Sequence, residues 1–412
     1  MNKSPRLVAL ETLYSIFYDG SYSNIALDKA LSDIKENKAF ISALVYGVTE
    51  KKITLDYFID KYAQGRIKPK VRIVLWLGAY QLLFMDKVPS SASINESVKL
   101  VKEIKQDYYS KLVNAVLHKI DNDRQIPDDL SVKYSVPENL INMWKKQYGE
   151  DVLNEFLPCI NDKPPLFAIP NKKFVNSDEL LYELECDGIL GEAYDEFVLI
   201  ENANDLTASK AFKNGLFYIE DLSSFNCANA LDALSDDLVL DMCSAPGGKA
   251  FTISQRMNNS GKIYCYDLHE HRLNLIKSSA KRLSIDNIYT DVNDATVYNE
   301  NIPKADKILC DVPCSGFGII RRKPEIRYKD LDSVKDLPQI QYKILETSSR
   351  YLKDGGRIIY STCTLNKKEN ENVVNKFLKD HSGYKLLKEK TVFPSTVGGD
   401  GFYYAIMVKN EN

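Results

Sequence analysis

Leu238-Val239-Leu240-Asp241-Met242-Cys243-Ser244-Ala245-Pro246-Gly247-Gly248-Lys249 is an apolar strand signal that runs straight into a paired-glycine turn, and Ala250-Phe251-Thr252 behind it opens a helix. Paired glycines let the main chain approach a ligand closely, and the unbonded N–H groups of a helix start lie just beyond them. The pattern continues downstream. Lys262-Ile263-Tyr264-Cys265-Tyr266, Lys307-Ile308-Leu309-Cys310 and Arg357-Ile358-Ile359-Tyr360 are further buried-strand signals with helical stretches between them. Strands interleaved with helices predict a doubly wound, mostly parallel α/β sheet over residues 236–412. In such sheets ligands sit beyond the carboxyl ends of the strands, so the residues just after each strand carry the chemistry.

A tight strand-to-helix turn would by itself explain the glycines. Asp267 adds a second feature, because it ends the next strand about 20 residues beyond Gly247, the spacing that sets a carboxylate on ribose hydroxyls. Together they favour an adenosyl ligand on residues 243–249. Phosphate is disfavoured, since the loop has neither G-x-G-x-x-G nor the lysine-Ser/Thr ending of a P-loop. Asp294, in Val292-Asn293-Asp294-Ala295, follows a third strand and reads either as an acceptor for an adenine amino group or as a solvated loop residue.

Two cysteine segments follow the later strands: Asp311-Val312-Pro313-Cys314-Ser315-Gly316 and Ser361-Thr362-Cys363-Thr364. One cysteine at a strand end is commonly a small buried residue. Two at equivalent strand ends beside a cofactor loop point to chemistry. Carbon 5 of cytosine accepts a methyl group only after a thiolate has added at carbon 6 and made the ring enamine-like, and cysteine is nucleophilic enough to do so. Asp311 is placed to neutralise charge at ring nitrogen 3 if protonated, or to fix the amino group if ionised. The second thiol, Cys314, suits the later release of the first. Immediately after it, Ile320-Arg321-Arg322-Lys323-Pro324-Glu325-Ile326-Arg327-Tyr328-Lys329 reads as an RNA contact through Arg321, Arg322, Lys323 and Arg327, with a solvated basic helix start as the alternative.

Upstream, residues 1–125 read as an all-α bundle. Leu7, Leu10, Leu13, Tyr14 and Phe17 recur at helical spacing, as do Val71, Val74, Leu75, Gly78 and Leu82. Asp19-Gly20-Ser21, Lys68-Pro69 and Val88-Pro89 mark helix boundaries. Residues 126–235 read as a linker, with an aromatic helix through Trp144 and Tyr148, leading into a small α+β subdomain whose function the pattern does not disclose.

Composition bounds the rest. With 412 residues, 44% hydrophobic and 27% charged, the chain is expected to form two or three soluble domains. It has no uninterrupted apolar run of membrane-spanning length, and Met1-Asn2-Lys3-Ser4-Pro5-Arg6 leads into an amphipathic pattern, so a cytoplasmic location without membrane contact is expected. The eight cysteines are dispersed and read as reduced thiols; with only four histidines, no metal is expected. The net charge of −3 leaves any RNA contact to local basic patches.

Residues 243–249, Asp311 to Gly316 and Ser361 to Thr364, in that order and spacing, resemble the Sun/Nop2 family of RNA 5-methylcytosine methyltransferases. The likeness reaches the N-terminal half: Ala79-Tyr80-Gln81-Leu82-Leu83, Val88-Pro89 and Lys111-Leu112-Val113-Asn114-Ala115-Val116-Leu117 resemble the NusB-like RNA-binding domain of one bacterial branch, and Gly399-Asp400-Gly401-Phe402-Tyr403 its C-terminal ending. The resemblance implies a Rossmann-like methyltransferase core and S-adenosyl-L-methionine held by Cys243, Ser244, Ala245, Pro246, Gly247, Gly248, Lys249, Asp267, Asp294 and Asp311. It also implies Cys363 as nucleophile, Cys314 as its releasing partner, and 16S rRNA, free or in an assembling small subunit, as substrate for a monomeric enzyme. Ala168-Ile169-Pro170-Asn171 and Asn293-Asp294 depart from the family pattern, which has arginine before the asparagine of the first segment and glycine before the aspartate of the second. A tRNA cytosine methyltransferase and a non-catalytic NusB-like RNA-binding protein are the rival readings. A DNA-type enzyme would use Cys314 as nucleophile and have no need of Cys363.

Overall fold

Ser4 caps the first helix by accepting from Leu7 N at 3.2 Å, and Pro5 supplies the pre-set first position of the helix Pro5–Tyr18. The helices Ser23–Leu31, Lys38–Tyr62, Pro69–Phe84, Ser90–Glu103 and Ser110–Asn122 follow; three of the breaks fall at the glycine and proline positions that the sequence marks, while those at 32–37 and 104–109 hold neither residue. Pro69–Phe84 is the central helix, with residues 73–79 all buried; a helix apolar on every side can only sit inside a bundle. The computed structural model describes residues 3–202, 205–394 and 398–411. Among them no helix is long and apolar enough to cross a membrane.

The helical unit is larger than residues 1–125. It comprises Met1–Asp162 together with Ile320–Asp330. The stretch read as a linker folds into the helices Leu130–Tyr134, Glu138–Tyr148 and Glu150–Phe156, because Leu140, Trp144, Leu153 and Phe156 all bury. The Trp144 and Phe156 rings meet edge to face at 5.2 Å. Thr54 Oγ1 donates to Val132 O and Ser135 Oγ accepts from Ile53 N, tying this extension to the long third helix.

The second unit, Lys163–Ile319 with Leu331–Asn412, holds two sheets. Strands β1 (Leu166–Pro170), β2 (Leu190–Ala193), β3 (Val198–Asn202) and β4 (Phe217–Ile219) form an antiparallel sheet in the order β2-β3-β1-β4, beside a helix Ser177–Cys186 opened by an Asn176/Glu179 capping box. This is the small α+β element, and its sheet buries both faces: Ala168, Val198, Ile200 and Phe217 pack with Leu180 and Leu184 of that helix, while Phe167, Ile169 and Tyr218 join a cluster with Val239 and Ile263 of the larger sheet and Phe251 of the helix that follows β5.

That larger sheet contains β5 (Leu238–Asp241), β6 (Lys262–Asp267), β7 (Ile288–Val292), β8 (Ala305–Asp311), β9 (Leu352–Thr362), β10 (Tyr384–Val392) and β11 (Phe402–Lys409), ordered β10-β11-β9-β8-β5-β6-β7. The strands β5 to β9 run parallel, and β11 enters antiparallel beside β9 with β10 on its outer edge. The result is a Rossmann-like mixed sheet. Its order reverses direction at β5 between β6 and β8, the switch point where ligands bind. Parallel pairing sets Asp241 opposite both Cys265 and Leu309, and Asp311 opposite Ser361, so the strand ends and the loops after them share one edge.

Candidate active site

The glycine loop leaves β5 at Asp241 and enters the helix Gly248–Arg256 through Gly247, whose φ of 107° lies in the left-handed region. Residues 243–249 line a cavity of about 200 Å³ with Glu220, Asp221, Ser224, Asp241 and Asp311. A Cβ on Gly248 would stand 3.1 Å from Glu220 Oε1, so the absence of a side chain there keeps this cradle open. Both carboxylate oxygens of Asp241 and the Ser244 hydroxyl are buried with no hydrogen-bond partner among the described residues. Buried polar atoms of this kind fit a polar ligand. Burial pushes the Asp241 carboxyl up to about 7 and does the same to Glu220.

Lys249 donates from Nζ to Asp311 Oδ2 at 2.7 Å and to Ser224 Oγ at 3.0 Å. Burial works to discharge this ammonium, but Asp311 and Glu220 outweigh it and its pKa ends above the ordinary lysine value. Asp311 Oδ1 accepts from Ser361 Oγ at 2.8 Å. Asp311 is therefore oriented from both sides as an acceptor.

Asp267 is 3% exposed and paired with Arg272 at 3.0 Å, while His269 N donates to it at 3.2 Å. Arg272 also donates to Ala245 O at 2.8 Å, joining the end of β6 to the glycine loop. Asp294 lies two residues beyond β7, exposed, with Oδ1 accepting from the amide and hydroxyl of Thr296.

The two cysteines meet. Cys314 Sγ lies 3.3 Å from Cys363 Sγ, both half-buried. The Cys363 sulfur beside it, together with burial, holds the Cys314 thiol well above the ordinary thiol range, so Cys314 keeps its proton. The arrangement is a thiol poised against a second sulfur at the sheet edge, within the same loop system as Asp311.

The basic run after Cys314 behaves otherwise than as an RNA-facing strip. Residues 320–330 cluster with the helical unit. Arg327 is completely buried there, donating to Glu50 O at 3.0 Å, Ser135 O at 3.1 Å and Asn161 Oδ1 at 2.9 Å. Arg321 is only 7% exposed. Burial weighs against the expected phosphate contacts by Arg327 and Arg321: Arg327 makes these bonds through Nη1 alone, and its Nε and Nη2 are sealed in the interior without a hydrogen-bond partner among the described residues. Arg322 and Lys323 are half-exposed, and Lys323 lies over the Tyr22 ring at 5.5 Å.

Sequence reasoning passed over Asp241, Arg272, Ser361, Glu369 and Asn370. Asp241 had a signal, a carboxylate closing an apolar strand. Arg272, in the first turn after Asp267, had a weak one. Ser361 looks like an ordinary strand-end residue, and Glu369 and Asn370 look like ordinary residues before a helix.

A family model described as 16S rRNA methyltransferase RsmB/F matches residues 228–408, and one described as NusB family matches residues 3–122. The chain is 33% identical to a probable ribosomal RNA small subunit methyltransferase B of Bacillus subtilis (strain 168), covering 98% of this chain and 99% of that protein. It is 28% identical to the ribosomal RNA small subunit methyltransferase B of Photorhabdus laumondii, covering 98% of each. Among solved structures, that of PH0851 aligns with a TM-score of 0.83 at 27% identity over 99% of this chain and 100% of that one. NSun6 from Pyrococcus horikoshii, solved with SFG, shares the fold over 67% of this chain and 99% of its own, with a TM-score of 0.62 at 21% identity. Identity at this level over nearly the full length, with one family model on the bundle and the other on the mixed sheet, shows that the chain belongs to the ribosomal RNA small subunit methyltransferase B family.

Proposed function

We propose that the protein is an S-adenosyl-L-methionine-dependent 16S rRNA methyltransferase that modifies carbon 5 of a cytosine through a covalent bond to Cys363. The observation that carries this reading is the pair of sulfurs 3.3 Å apart, one held as a thiol, at the edge that also carries the glycine cradle and Asp311. Residues 243–249 with Asp241 and Asp267 would hold the cofactor, with Asp294 at the adenine end; bound there, its sulfonium supplies an electrophilic methyl group.

Cys363, as thiolate, forms a bond to carbon 6 of the flipped base, and the π electrons of the 5,6 double bond become the nucleophile at carbon 5. Asp311, fixed as an acceptor by Lys249 and Ser361, orients the base through its 4-amino group. After methylation the carbon 5 proton leaves to a solvent base, its electron pair restores the double bond, and the bond from carbon 6 to Cys363 breaks. The Cys314 S–H donates to the departing sulfur and stabilises it as a leaving group. Arg322 and Lys323 are the remaining candidates from the basic run for contact with the RNA backbone.

Methyl transfer from labelled cofactor to 16S rRNA and to bulk tRNA tests the reading, with Cys363→Ala and Cys314→Ala compared on denaturing gels. Cys363→Ala is expected to lose activity by at least about a thousandfold, and Cys314→Ala to accumulate a protein–RNA adduct. An active Cys363→Ala enzyme would overturn the mechanism; labelling confined to tRNA would overturn the substrate.

A further inference from the structure

Just past the second cysteine segment, Glu369 and Asn370 are both completely buried, immediately before the helix Glu371–Asp380. We infer that these adjacent residues are positioning residues that clamp the two cysteine loops, one loop each, and so set the separation of Cys314 and Cys363. The consequence for catalysis rests on the cytosine reading above; the spacing itself does not.

Glu369 grips the first loop. Its carboxylate accepts from Ser315 N at 2.8 Å and Ser315 Oγ at 2.6 Å on the C-terminal side of Cys314. On the N-terminal side, Gln341 Nε2 donates both to Pro313 O and to Glu369 Oε2, each at 3.0 Å. Asn366 Nδ2 adds a fourth donor at 2.8 Å. Cys314 is thus held through the main chain on both of its flanks. Asn370 treats Cys363 in the same way: Thr362 Oγ1 donates to Asn370 Oδ1 at 2.5 Å, and Asn370 Nδ2 donates to Thr364 O at 2.9 Å. The loops are cross-tied by Ser315 Oγ and Thr364 Oγ1 at 2.7 Å and by Gly318 N donating to Cys363 O at 3.0 Å. Buried, saturated networks of this kind fix one geometry, because every alternative strands a polar group away from water.

Glu369→Gln keeps the shape but turns one acceptor into an NH2 facing the donors of Ser315, Gln341 and Asn366. Asn370→Ala releases both flanks of Cys363, and Ser315→Ala is a milder loosening of the first loop. The direct readout is the rate at which diamide oxidises the two thiols to a Cys314–Cys363 disulfide, each thiol giving up one hydrogen and diamide being reduced to the hydrazine, followed by peptide mass spectrometry. Wild type should cross-link readily, and the variants roughly tenfold or more slowly, with cofactor affinity near wild type and a thermal midpoint that is lowered least in Ser315→Ala. In methyl transfer, kcat should fall with KM for the cofactor unchanged; Asn370→Ala should depress adduct formation, and Glu369→Gln should prolong the adduct as Cys314→Ala does. Cross-linking of all three variants at the wild-type rate, or a wild type that does not cross-link, overturns the clamp. Slowed cross-linking with unimpaired methylation keeps the clamp and overturns the roles of the cysteines.

Discussion

At Gly247 the demand is on a single torsion. With φ at 107°, an added Cβ would also lie 2.8 Å from Phe251 Cζ. Gly247→Ala is expected to cost about 1–3 kcal/mol of local strain and, by shifting the cradle, to weaken cofactor binding by roughly tenfold or more, measured by calorimetric titration. Undiminished affinity would mean that the ligand does not touch this turn. Asp267 shows a different residue-scale effect. Its carboxylate is engaged by Arg272, and the same arginine donates to Ala245 O, so one side chain ties the end of β6 to the glycine loop.

Among the elements, the short run 320–330 departs furthest from its sequence reading. Its basic residues look like a phosphate-binding strip, yet the 3-10 helix Pro324–Tyr328 packs with the helical unit: Tyr328 OH donates to Thr49 O at 2.7 Å, and its ring meets Phe17 edge to face at 5.7 Å. Arg327→Met retains the apolar stem and removes the donors, leaving buried carbonyls unpaired. A loss on the order of 3 kcal/mol is expected for the helical unit. Urea unfolding followed by tryptophan fluorescence reads this directly, because the two tryptophans, Trp76 and Trp144, both belong to that unit. An unmoved urea midpoint with a loss of RNA affinity would restore the phosphate-contact reading of Arg327.

For the molecule as a whole, the buried carboxyls around Lys249 link stability to pH. Glu220 and Asp241 are each pushed up to about 7 by burial. Between the unfolded carboxyl range near 4 and the folded value near 7, the folded chain holds protons that the unfolded chain releases. Stability therefore falls as pH rises through that window, and the full cost is present above it. Lys249 stays charged in both states there and adds no slope. Glu220→Gln should flatten the decline between pH 4.5 and pH 8 by roughly 3 kcal/mol, seen as a smaller pH shift of the urea midpoint in circular dichroism. A slope equal to that of wild type would show that Glu220 titrates as an ordinary exposed carboxyl. A deeper decline in the variant would mean that folding lowers the Glu220 pKa instead of raising it.

The alternation of strands and helices, the glycine loop, the carboxylate at the end of β6 and the cysteines at two strand ends were all readable in the chain, because each is a local pattern of apolar period or loop chemistry. The helical N-terminal half was readable for the same reason. Only the tertiary structure decided that residues 130–156 pack instead of linking, that one face of the small antiparallel sheet shares a core with the large one, and that Arg327 is buried. It also decided that Cys314 and Cys363 stand in sulfur contact under the grip of Glu369 and Asn370. These features depend on which distant segments meet and on which polar groups are sealed from water when they do, and the spacing of residues along one strand or helix carries no record of either.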